Sequence, residues 1–106
     1  MPETLSSAER ARLVETYPGW TLADDGKSVS THLEFANFAD AWGFMTEIAI
    51  VADKLDHHPE WSNVYNRVDI TLTTHDADGL SSRDQALANE IAAVLGRRGQ
   101  ADAQSA

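Results

Sequence analysis

Three of the chain's four histidines fall between Leu55 and Asp76, where Leu55-Asp56-His57-His58-Pro59-Glu60-Trp61 leads into Asn63-Val64-Tyr65-Asn66 and then Thr73-Thr74-His75-Asp76. Unperturbed imidazole titrates at about pH 6.5, nearest neutrality of any side chain, so a cluster of it beside carboxylates points to proton transfer and hence to an enzyme. Adjacent side chains on extended backbone project to opposite sides, so His57 and His58 are expected to play different roles. His57, in a loop after a helix, and His75, at a strand end, can meet at a common cleft once the chain folds. Asp56 is the acid expected to matter most to this cluster, by adjacency. Asp84, in the first turn of a later helix, has an ordinary explanation in the helix dipole.

Other readings of the same residues stand beside this one. Any one histidine can be a plain surface residue, and His32, isolated on the polar side of a strand, is read that way. Three imidazoles plus water also make a catalytic zinc shell, although adjacent histidines place ligands on one face less readily than HxH on a strand or HxxxH on a helix. Trp61 either covers its loop or flanks a flat aromatic ligand.

The elements that must position these residues can be traced by period and punctuation. Ser6 or Ser7 caps a short first helix that carries Leu13 and Val14 and stops at Pro18-Gly19. Trp20 to Leu22 and Val29 to Phe35 form a hairpin about Asp25-Gly26, with Val29, Thr31, Leu33 and Phe35 alternating against polar neighbours. Phe38, Ala41, Trp42, Met45, Ile48, Ala49, Ala52 and Leu55 recur at helical steps after Asn37 or Asp40, and Trp42 is expected in the core. Pro59 forbids continuing that helix and leaves His57-His58-Pro59 on an exposed connection. Val64, Val68, Ile70 and Leu72 are expected on one face of a single strand whose polar face ends at His75. Ser81 or Ser82 caps a last helix carrying Leu87, Ile91, Val94 and Leu95, which ends at Gly96 or Gly99. This order predicts an α+β fold, an antiparallel sheet with helices on one face. Residues 1–99 are expected to form a single domain and 100–106 a disordered tail.

Composition narrows the class. With 106 residues, 42% hydrophobic and 24% charged, the chain has room for one modest core. Seventeen acidic residues against eight basic ones give a net charge of -9, which argues against nucleic-acid binding. No cysteine is present, so disulfides, thiolate nucleophiles and Cys-ligated zinc are excluded. Neither a signal-peptide pattern at Met1-Pro2-Glu3-Thr4-Leu5 nor an apolar run of about 18 residues is found, so no membrane association and a cytoplasmic location are expected.

The run Asp56-His57-His58-Pro59-Glu60-Trp61, with Val64-Tyr65-Asn66-Arg67-Val68, Thr74-His75-Asp76, Gly79-Leu80-Ser81 and Arg83-Asp84, resembles the pterin-4a-carbinolamine dehydratase family. More weakly, the likeness extends from Leu5 to Arg97. It implies a four-stranded antiparallel sheet backed by helices, the extra strand coming from a split of the hairpin region. It also implies dehydration of a 4a-hydroxytetrahydropterin to quinonoid dihydropterin, which regenerates the pterin cofactor of an aromatic amino-acid hydroxylase, with no metal or organic cofactor. Implied as catalytic are His57, His58 and His75, the first and third transferring protons and His58 binding near the 4a-hydroxyl. Asp56, Thr73, Thr74 and Asp76 join the histidines in holding substrate, with Trp61 as the aromatic candidate. The family often has Glu where Asp53 stands, so no catalytic role is given to Asp53. A homodimer or homotetramer is implied. Some relatives lack the histidines and act as assembly chaperones for a carbon-fixing enzyme, and animal members bind a homeodomain transcription factor, which leaves a non-catalytic binding module as the alternative.

Overall fold

The computed structural model describes residues 3–99; the tail expected at 100–106 lies outside them. Helix α1, Ser7–Thr16, starts at a capping box in which the Ser6 hydroxyl accepts from the Glu9 N–H and the Glu9 carboxylate accepts from the Ser6 N–H. Strands β1 (Thr21–Leu22) and β2 (Val29–Glu34) form the expected hairpin. Its turn needs Gly26 at φ +72, a conformation that a side chain at that position would strain.

Helix α2, Phe38–Leu55, is capped by Asn37. Its buried residues are Ala41, Phe44, Met45, Ile48 and Ala52, whereas Trp42 is 55% exposed, contrary to the expectation that it is core. The helix is apolar over more than one face, so the three- and four-residue steps place Phe38 and Trp42 beside the buried stripe and not in it. Their rings stack with centroids 6.2 Å apart.

The single strand expected from Val64 onward is instead a hairpin, β3 (Glu60–Val64) and β4 (Arg67–Leu72), turning at Tyr65-Asn66 with Tyr65 at φ 52. Val64 therefore lies on β3 and is exposed, while Val68, Ile70 and Leu72 are buried. The fourth strand is thus Glu60–Val64, and the first hairpin is not split to make it. All four strands are antiparallel in the order β1-β2-β4-β3, so β3 stands at an edge. A partly polar sequence suffices there because only one face meets the core.

After β4, a 3-10 turn at His75–Ala77 and a bridge between Thr74 and Gly79 lead into helix α3, Ser82–Arg97, capped by Ser81. Helices cover the sheet face that carries Val29, Leu33, Val68, Ile70 and Leu72. Phe44, Ile48, Leu87, Ile91 and Leu95 meet those residues in one cluster, each buried side chain contributing roughly 1.5–3 kcal/mol. The other face bears polar residues including Ser30, His32, Glu34, Arg67 and Asp69.

Candidate active site

Four chain segments converge at one end of the sheet: the C-terminus of α2, the start of β3, the 3-10 turn after β4 and the N-terminus of α3. They line a cavity of about 380 Å³ bounded by Asp56, His57, His58, Pro59, Glu60, Thr73, Thr74, His75, Asp76 and Arg83.

How α2 ends decides where the histidine pair points. Asp56 takes the left-handed conformation at φ 53, and the N–H groups of Asp56 and His57 both donate to the Ala52 carbonyl. This cap closes the helix, a role that Asp tolerates better than most residues. The chain then leaves extended toward Pro59, and successive side chains diverge. His57 turns inward and is 8% exposed, which corrects its expected place on an exposed connection, while His58 stays exposed.

His57 Nε2 donates to Asp84 Oδ1 at 2.6 Å. Asp84 is fully buried, and its other oxygen accepts from the Thr74 hydroxyl at 2.7 Å and from the Ser81 N–H at 2.9 Å. Because Thr74 spends its one hydroxyl proton on Asp84, the Ser81 hydroxyl, 2.7 Å away, donates to Thr74. The carboxylate thus has donors on both oxygens at the positive end of α3, as a buried carboxylate requires. With Nε2 donating, Nδ1 is the ring nitrogen of His57 left for a ligand.

His75 repeats the pattern in the open. Its Nε2 lies 2.9 Å from Glu60 Oε2, and the side chains are 84% and 55% exposed. His58 is more loosely placed, with Nε2 3.6 Å from Asp53 Oδ1. In no case is the ring partner the neighbouring acid, so the emphasis on Asp56 by adjacency is replaced by Asp84 for His57, and Glu60 holds His75 although Asp76 is next to it.

Six of the expected site residues besides His57 line the cavity: Asp56, His58, Thr73, Thr74, His75 and Asp76. Trp61 does not. It pairs with Ile70 on the helix-facing side of the sheet and packs, partly buried, against the core. Thr73 gives its hydroxyl to the Lys27 carbonyl, and Thr74 gives its own to Asp84, so their side chains support the cavity wall. Among the described residues, no group of three His, Asp or Glu side chains is arranged to hold a metal ion.

Sequence reasoning had missed Asp84 and Glu60. Asp84 stands at the third helical position after Ser81, where a capping box explains an acid completely, so its second bond left no separate mark on the sequence. Glu60 became visible as a site residue only once β3 was known to begin there.

A family profile described as Pterin 4 alpha carbinolamine dehydratase matches residues 3–94. The chain belongs to that family. Among its relatives, a provisionally named pterin-4-alpha-carbinolamine dehydratase of Novosphingobium aromaticivorans is 53% identical over 91 residues, covering 86% of this chain and 95% of the relative. Another so named, from Rhizobium rhizogenes, is 51% identical over 96 residues, covering 91% and 95%. A crystal structure described as a transcriptional coactivator/pterin dehydratase from Brucella melitensis superposes with a TM-score of 0.83 at 38% identity, over 87% of this chain and 98% of that one. Like that family member, the chain is α+β, and the four-stranded antiparallel sheet backed by helices is as expected.

Proposed function

We propose that residues 1–99 act as a dehydratase that removes water from a 4a-hydroxytetrahydropterin, giving quinonoid dihydropterin in the recycling of a pterin cofactor. Family membership supports the reaction class. One observation carries the mechanism: His57 and His75, from different elements, border one cavity with Nε2 of each ring held by a carboxylate.

The step breaks the C4a–O bond and the N5–H bond and forms the N5=C4a double bond. A base takes the N5 proton while an acid protonates the departing hydroxyl, which leaves as water. His57 suits the base, because Asp84 holds its proton on Nε2, leaves the Nδ1 lone pair available and balances the positive charge that the ring acquires. His75, in open solvent beside Glu60, suits the acid: as the imidazolium it keeps its Nε2 proton on Glu60 and gives its Nδ1 proton to the departing hydroxyl. Exposed His58 and the backbone of Thr73 to Asp76 are suited to hold the pterin ring. Each proton transfer contributes about 10²- to 10⁴-fold when well placed.

The deciding experiment is dehydration of a 4a-hydroxytetrahydropterin by chelator-treated protein, with His57→Ala and His75→Ala alongside. Retained wild-type activity and a loss of at least about 100-fold in each folded variant are expected. Complete loss on chelation would favour a metal site instead, and unchanged turnover in the variants would favour a non-catalytic binding module.

Helix α2 leaves Phe38, Trp42 and Ile50 about half exposed. We assign that face to self-association into a dimer or tetramer. A cytoplasmic location and a functional link to an aromatic amino-acid hydroxylase follow from the same proposal. No helix among the described residues is long and apolar enough to cross a membrane.

A further inference from the structure

We infer that Glu60 is the positioning residue for His75, fixing the ring so that its Nδ1 side faces the reacting centre. The inference rests on the dehydratase reading above and adds a residue to it.

Glu60 opens β3, and its backbone is held in register opposite Thr71 of β4. That pairing anchors the carboxylate to the sheet, whereas His75 lies beyond the end of β4 in a short 3-10 turn. An exposed imidazole on such a turn has little packing to restrict its rotamers, since 84% of its side chain meets solvent. The 2.9 Å contact between His75 Nε2 and Glu60 Oε2 is the restraint the structure provides. A carboxylate only accepts, so Nε2 must carry a proton there, and Nδ1 is the nitrogen turned to a ligand. His57 receives the same treatment from Asp84, buried where Glu60 is exposed. Asp76 also borders the cavity next to His75 in sequence, yet the ring is held from the other strand.

Glu60→Ala is expected to lower kcat about 10-fold with KM within about 2-fold, because a positioning contact supplies part of what the acid contributes. Glu60→Gln keeps an oxygen acceptor at the same reach and is expected to recover most of that loss. In the His75→Ala background, Glu60→Ala should add nothing further, since the two residues act as one unit. A rise in KM alone, an equally slow Gln variant, or additive losses would overturn the inference. Ring-nitrogen NMR of the ligand-free protein supplies a readout that does not need turnover. Glu60→Ala should change the His75 Nε2 signal and leave that of His57 in place, and an unchanged His75 signal would also overturn it. This measurement judges Glu60 even if wild-type protein dehydrates no carbinolamine.

Discussion

His57 Nε2 stands 2.6 Å from Asp84 Oδ1, a contact between residues 27 positions apart that joins the end of α2 to the first turn of α3. Replacing Asp84 with Ala strands the Thr74 hydroxyl, the Ser81 N–H and the His57 ring in a fully buried place. Removing one partner of such a set costs about 3–5 kcal/mol, and each kcal/mol lowers Tm by about 4–8 °C in a domain of this size. A fall in Tm of more than about 10 °C on thermal unfolding is the expected outcome.

Asp84→Asn tests chemistry more than folding. Its amide must set either NH2 against His57 Nε2, which moves the ring proton to Nδ1, or NH2 against the Ser81 N–H and Thr74 hydroxyl. With the wrong tautomer toward the substrate, kcat should drop by at least about 100-fold. Activity near wild type in a steady-state assay would detach Asp84 from the mechanism.

Trp61→Ala should act on stability. Because the ring packs on the core beside Ile70 and not on the cavity, a loss of about 2 kcal/mol in denaturant unfolding is expected, with KM within about 2-fold. A large KM effect in folded protein would return Trp61 to the substrate.

How far the sequence discloses this architecture depends on which signal each element needed. Helix α3 and the β1–β2 hairpin were legible because caps, Gly26 and apolar period agreed. Strand β3 was not, since at a sheet edge Glu60, Ser62 and Asn63 show little of the alternation that marks a strand. Trp42 misled for the opposite reason: α2 carries more apolar residues than its core face holds. At the site, the three histidines were evident from type alone. The carboxylates that hold them depend on tertiary contacts across 27 and 15 residues, which local pattern does not encode.

On the far face of the sheet, hydrogen bonds that the His32 ring donates to Asp69 and then Glu34 raise its pKa above 6.5. A raised folded value means that the charged ring's contribution is fully present below the unfolded pKa of about 6.5 and is lost as pH rises through the folded one. The Tm advantage of wild type over His32→Gln should therefore shrink as pH rises above about 6.5. An advantage that grows with pH would contradict this network.

Trp42→Glu probes the exposed face of α2. Light scattering at micromolar concentration should show a smaller particle than wild type, with folding stability changed by no more than about 0.5 kcal/mol. Equal particle sizes would release this face from the proposed assembly.

Asp84 serves two masters at once, closing the capping box with Ser81 and holding His57. Fraying of the first turn of α3 and disassembly of the proposed catalytic pair are therefore one local opening event. Amide hydrogen exchange at Ser81, whose N–H is sequestered by that carboxylate, becomes a gauge of site integrity that needs no substrate. Any variant that loosens the helix start without touching a histidine will idle the enzyme for the fraction of time this amide is open.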